Sequence, residues 1–145
     1  MFSAKLNSLR LEFSKRGDFT LRPNENISSV VIRENVSLLY GVYLITAIGH
    51  DHKEPIYIGR AGTLRQNGEF GKQGLRVRLT NRQSGVPRNR AFRDYISSNR
   101  LDGLHIEWFL TFGCGSQVLP LLVEAQLISA YYAEFKELPK WNKTA

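Results

Sequence analysis

The sequence predicts a mixed α/β domain in which a small three-stranded antiparallel sheet is flanked by helices. Three observations predict it. Residues 41–59, GVYLITAIGHDHKEPIYIG, set two apolar runs around a polar, turn-rich loop, which is a hairpin pattern. Leu104 to Phe112 alternates cleanly, with Leu104, Ile106, Trp108, Leu110 and Phe112 on one face and His105, Glu107, Phe109 and Thr111 on the other. That supplies a third strand beside the hairpin. Residues 117–138 carry Leu121, Ile128, Tyr131 and Phe135 at helical spacing. A chain of 145 residues can bury one core, but hardly two.

Met1 to Arg16 fits two periods at once: Phe2, Leu6, Leu9 and Phe13 fall on a helical stripe, while Leu9, Leu11 and Phe13 alternate as a strand does. The stretch is basic and serine-bearing like a mitochondrial presequence, but Glu12 and Asp18 count against that. Residues 17–29, GDFTLRPNENISS, read as a turn-rich connector, and Val30 to Tyr40 admits a strand or a short helix. Residues 1–40 are therefore expected to form an amino-terminal extension packed on a main unit of residues 41–145. In that unit Gly41 to Ala47 and Pro55 to Gly59 are the hairpin strands. Residues 61–74, with four glycines, form a long loop suited to embracing a ligand. Leu75 to Arg82 reads as a helix with Leu75 and Leu79 inward and Arg78 and Arg82 one turn apart on another side. Ser84 to Pro87 breaks it. Asn89 to Asn99 is a second helix, with Phe92, Tyr95 and Ile96 as its apolar stripe and Arg90 and Arg93 projecting elsewhere. The last helix starts near Pro120, since proline is harmless only in a first turn, and Leu138 to Asn142 closes the chain in extended form.

Charge narrows the function. The net charge is +7, yet Arg60 to Arg100 alone holds ten basic residues against Glu69 and Asp94, a net +8, so the rest sums to −1. Nine of the ten are arginine, whose planar fork matches phosphate oxygens better than an ammonium does. An anionic polymer is the expected partner. Arg65, Lys72, Arg76, Arg82, Arg88, Arg90 and Arg93 are the expected nucleic-acid contacts. Apolar runs fall short of membrane-spanning length and no secretory signal is evident, so no membrane partner is expected. The single cysteine, Cys114, requires no oxidising compartment, reads as structural, and leaves a cytoplasmic setting as the expectation. His50, Asp51 and His52 sit in a polar turn and read as solvated; no zinc spacing or nucleotide-type phosphate loop occurs.

One residue departs from its surroundings. Glu124 stands on the apolar stripe of the last helix, three residues after Leu121 and four before Ile128. A carboxylate there must be paired with a cation, protonated, or bound to a metal. The residues alone leave an arginine salt bridge and a metal ligand both open.

Gly41-Val42-Tyr43, then Tyr57-Ile58-Gly59 about a dozen residues on, an arginine in the next helix, a glutamate in a later one and a near-terminal asparagine together resemble the GIY-YIG nuclease superfamily. That superfamily includes homing endonucleases, the amino-terminal nuclease of bacterial excision repair and some restriction enzymes. The resemblance covers about Gly41 to Asn142. It implies a three-stranded antiparallel sheet flanked by helices and a metal-dependent DNA endonuclease, with duplex DNA as the partner and one Mg2+ or Mn2+ ion as the cofactor. Carried over, it places Tyr43 and Tyr57 in the motif positions, Arg78 at the catalytic arginine with Arg76 as runner-up, Glu124 at the metal ligand and Asn142 at the terminal asparagine. Val42 replaces isoleucine, Arg60 stands where many relatives have lysine, and Arg82 stands where some have histidine, so another group must serve as base if histidine normally does.

In the chemistry these groups would support, Glu124 holds the ion, Arg78 shares the phosphate charge, Tyr43 takes or relays a proton from the attacking water, and Tyr57 orients the phosphate or assists Tyr43. A phenol near pKa 10 is a poor base at neutral pH, and Arg60 together with Arg78 is expected to lower it. The alternative is a non-catalytic basic DNA-binding module that keeps the fold. The sequence leaves open the target, the choice among restriction, repair and mobile-element roles, and the oligomeric state, a homodimer included.

Overall fold

Residues 1–71 and 73–145 are described in the computed structural model. Lys72, expected to touch nucleic acid, lies outside the described residues. Among those described, five helices and two antiparallel sheets form a mixed α/β unit. In chain order they are α1 (Phe2–Glu12), β1 (Arg16–Leu21), α2 (Ile27–Arg33), β2 (Tyr40–Ile48), β3 (Lys53–Ala61), α3 (Leu75–Leu79), β4 (Arg82–Gln83), β5 (Val86–Pro87), α4 (Arg88–Ser98), β6 (Gly103–Gly113), β7 (Ser116–Gln117) and α5 (Pro120–Phe135).

The expected hairpin and third strand are present as β2, β3 and β6, with β2 between the other two. The sheet is nevertheless wider than the three strands expected. β1 pairs along the far side of β6 and β7 folds back on its end, giving the order β1-β6-β2-β3. β1 arises inside the stretch read as a connector, because Phe19 and Leu21 are its only apolar alternation and the strand is completed by pairing with β6. The helical reading prevails in α1, where Phe2, Leu6 and Leu9 are buried, and in α2, whose Asn26 side chain caps the helix by accepting the Ser28 N–H at 2.8 Å. β4 and β5 form a small hairpin where a helix break was expected.

Each face of the sheet has its own core. On one, Tyr43, Ile45, Leu104, Ile106 and Trp108 pack under Ile27, Val30 and Val31 of α2, Leu75 and Leu79 of α3, and Phe92 and Ile96 of α4. On the other, Val42, Leu44, Ile58 and Phe109 pack under α1 and under Val123, Leu127, Ile128 and Tyr131 of α5. The α1 layer also covers Glu107, on the strand face shared with His105 and Phe109. It is buried and takes two hydrogen bonds from Arg10, at 2.7 and 2.8 Å. Arg10 is drawn there because a buried carboxylate without a partner is strongly destabilising.

The register places the motif. Tyr43 pairs with Gly59 and Ile45 with Tyr57, so both tyrosines lie on the same face of the sheet. The pairing then skips Ile56, and this bulge bends β3 near its open edge. Beyond β3 no further strand pairs among the described residues.

Candidate functional site

The site begins with that edge. Side chains of an edge strand can turn outward from both faces and meet groups from the helices above and below. A cavity of about 370 Å³ lies there, lined by Tyr57 and Arg60 of β3, Arg78 of α3, Glu124 of α5, and Thr63 and Gln73 of the glycine-rich loop. Four of the six chemical positions expected from the sequence therefore line one cavity.

Glu124 enters from the second turn of α5, near the helix end whose dipole favours a carboxylate. It is not centred on the buried stripe as expected. The buried face runs through Pro120, Val123, Leu127, Ile128 and Tyr131, whereas Leu121 and Phe135 are exposed. Glu124 flanks that face with its side chain 15% accessible, and its Oε1 accepts a 2.7 Å hydrogen bond from Arg60 Nη1. The arginine salt bridge left open by the sequence is thus made, and Arg60 makes it. Oε2 has no protein hydrogen-bond partner among the described residues.

Tyr57 is half-buried, and burial pushes its phenol above the usual value of 10, assisted by the Tyr43 ring. Arg88 and Arg78 pull the other way without prevailing, and Glu124 adds to the rise. Tyr57, the phenol expected to orient the phosphate, gains no net lowering from the cations: burial outweighs Arg88 and Arg78, and Arg60 faces Glu124. At neutral pH Tyr57 is a hydrogen-bond donor.

Tyr43 stands directly behind Tyr57, ring centroids 5.9 Å apart. It is fully buried, does not line the cavity, and its hydroxyl is sealed without a hydrogen-bond partner among the described residues. Gly59 is what lets the two rings converge: a Cβ there would lie 2.6 Å from Tyr57 Cε2 and 2.7 Å from Tyr43 Cζ and its hydroxyl.

Asn142 lies outside this lining but borders an adjoining cavity of about 720 Å³, which Tyr57, Arg60 and Glu124 line with it. Its side-chain amide acts as a strand partner, accepting the Ile58 N–H at 2.9 Å and donating to the Ile58 carbonyl at 2.8 Å. Trp141 N–H donates to the Ile56 carbonyl at 2.8 Å. These bonds satisfy edge groups of β3 on either side of Tyr57.

The arginines divide. Arg78 is exposed toward the cavity and donates to Gln73 at 3.1 Å. Arg65, Arg82, Arg90 and Arg93 are exposed, as nucleic-acid contacts require. Arg76 instead donates to the Val36 carbonyl at 2.9 Å and ties α3 to the segment before β2. Arg88 is enclosed, 2% accessible, with its guanidinium carbon 5.3 Å from the centre of the Tyr43 ring, 5.5 Å from Tyr57 and 5.5 Å from Phe92. Sequence reasoning missed Gln73, whose role comes from the loop's fold and leaves no local pattern. It also missed the interior position of Arg88, which composition cannot distinguish from nine neighbouring cations.

The donor set can be tested against a metal. Among the described residues no group of three or more His, Cys, Asp or Glu converges, so a closed zinc-type cage does not fit. A single carboxylate with one uncommitted oxygen, opening into a polar cavity, fits Mg2+ or Mn2+, which keep most of their water and bind through one or two carboxylates. His50 and Asp51 are exposed in the hairpin turn, and Cys114 is exposed where β6 turns into β7. Among the described residues no helix is long and apolar enough to cross a membrane. No family model, curated protein or solved structure matches the chain.

Proposed function

We propose that this chain is a metal-dependent DNA endonuclease with a site of GIY-YIG type. The observation that carries the reading is the meeting of Tyr57, Arg60, Arg78 and Glu124, from three separate elements, around one cavity, with Tyr43 packed behind and Asn142 on the strand edge. The antiparallel β3-β2-β6 core between helices supports it as well.

In this reading a phosphodiester enters the cavity from the cationic side. Arg78 meets the non-bridging oxygens as a planar bidentate donor, and the protonated Tyr57 hydroxyl donates to the same phosphate. Tyr43 acts through Tyr57 by fixing its ring rather than by touching water. Arg60 is shared between Glu124 and the incoming phosphate. Glu124 would hold the Mg2+ or Mn2+ ion, which supplies stabilisation for charge on the phosphate and the leaving oxygen. Duplex DNA is the partner, with Arg65, Arg82, Arg90 and Arg93 along its backbone.

The test is incubation of the purified protein with supercoiled plasmid and magnesium. Nicking is expected, and Glu124→Ala should abolish it while DNA binding survives. The second reading, a basic module without catalysis, is favoured by the engagement of Glu124 by Arg60 and the sealed Tyr43 hydroxyl. It predicts salt-sensitive binding with no cutting in either metal.

A further inference from the structure

Arg88 is in the wrong place for a surface cation. It opens α4, the end of a helix where positive charge is disfavoured, and no carboxylate lies within ion-pair distance of it among the described residues. Its Nη1 donates to the Arg78 carbonyl at 2.9 Å and its Nη2 to Gln83 Oε1 at 2.9 Å, while its Nε is buried without a partner among the described residues. Three aromatic ring faces surround the guanidinium. A buried cation held by ring faces and neutral oxygens is poor design for stability, and an apolar side chain of similar length would fill the space at less cost.

We propose that Arg88 is a positioning residue for the candidate site, a clamp that holds the rings of Tyr43 and Tyr57 by their faces and the Arg78 backbone by a hydrogen bond. The inference rests on the endonuclease reading. Arg88 touches three of the site's residues at once and none of the cavity. Tyr57 and Arg78 come from a strand and a helix with no direct bond between them, and Arg88 is the shared support that sets their relative position. The β4–β5 hairpin presents Gln83 as the second acceptor and so fixes the guanidinium plane. A misplacement of about 1 Å between groups facing one phosphate lowers turnover on the order of 10²-fold.

The test compares Arg88→Met, Arg88→Lys and Gln83→Leu with the parent, measuring plasmid nicking in magnesium, thermal melting and the ring signals of isotope-labelled tyrosines by NMR. Arg88→Met should melt at or above the parent's temperature, yet lose about 10²-fold in kcat with KM within twofold. Arg88→Lys should recover part of that loss. Should Arg88→Met fail to fold, Gln83→Leu, which keeps the cation and removes one acceptor, is expected to lower kcat several-fold without a change in KM. A kcat within twofold of the parent in the folded variants overturns the clamp, as does a loss that follows only the fraction of protein unfolded. If the parent itself does not nick, the endonuclease reading fails separately, and the clamp is then judged on the ring signals. Splitting or broadening of the Tyr43 and Tyr57 rings in Arg88→Met supports it, and unchanged rings refute it.

Discussion

Gly59→Ala tests the geometry at its tightest point. The added methyl would lie 2.6 Å from Tyr57 Cε2 and 2.7 Å from Tyr43 Cζ and hydroxyl, against ordinary contact distances of 3.4–4 Å. Tyr43 is fully buried under Arg88 and cannot retreat, so the strain falls on Tyr57 and on the local backbone of β3. Overpacking of this kind costs about 1–3 kcal/mol. At roughly 2–4 °C per kcal/mol for a chain of this size, the melting temperature should fall by something on the order of 5 °C. Near-UV circular dichroism from the tyrosines should change as Tyr57 is displaced. Gly71→Ala is the control, because its nearest neighbour, Arg65 Nη2, would be 3.9 Å from the new methyl. In a Tyr57→Ala background one of the two clashes disappears, so the cost of Gly59→Ala should drop, with a coupling of at least about 0.5 kcal/mol. Equal stability of Gly59→Ala and parent, with an unchanged tyrosine spectrum, would refute the claim that this glycine exists to let the two rings meet.

Other consequences are as direct. Asn142→Ala leaves the Ile58 N–H and carbonyl without their side-chain partner and should cost about 1–3 kcal/mol in urea unfolding, whereas Asn142→Asp should cost more, since a carboxylate then faces the Ile58 carbonyl. Arg90→Gln and Arg93→Gln should each reduce the slope of log K against log salt for duplex binding by about 1, with little effect on sequence preference. For Tyr57 the sign is set by its raised value: the contribution to stability is whole below the unfolded value of 10 and is lost as pH rises through the folded one. Spectrophotometric titration should find Tyr57 ionising above the ordinary phenol value of 10, and Tyr57→Phe should soften the alkaline loss of stability, Tyr131 keeping a share of it because burial raises that phenol too. Arg60→Gln removes the cation now bonded to Glu124, so calorimetry should show tighter manganese binding while nicking slows; weaker binding would mean that the pair does not compete with the ion.

What could be read of the fold follows how locally each element is determined. β6 was legible because its alternation runs for nine residues and both faces meet a core, Leu104, Ile106 and Trp108 on one side and Phe109 on the other. β1 was not, because two apolar residues make no period and the strand exists by virtue of its partner. In α5 the helix was plain but its face was not. Leu121, Leu122 and Val123 follow one another, so several stripes fit, and only packing against Val42, Leu44 and Ile58 selects the one through Val123 and Leu127. Gly41 carries a similar lesson: its Cβ would fall 1.8 Å from the Phe109 carbonyl, a demand made by β6 across the sheet rather than by its neighbours in sequence.

The candidate site divides along the same line. Functional groups and their order along the chain are sequence properties, so two phenols, a carboxylate and a block of guanidinium groups could be named in advance. Which guanidinium goes where is a property of the closed fold: Arg60 to Glu124, Arg76 to the Val36 carbonyl, Arg88 beneath the rings, Arg78 into the cavity. The edge of β3 explains the arrangement. Only at an open edge can residues from both faces of a sheet, such as Tyr57 and Arg60, turn toward groups from helices on opposite sides, such as Arg78 and Glu124. An open edge also exposes unpaired backbone groups beside the very residues that must be held still. Asn142, 84 residues beyond Ile58, satisfies two of them with one side chain and borders the adjoining cavity beside Tyr57, Arg60 and Glu124, which is why a residue so distant in sequence belongs with the candidate site.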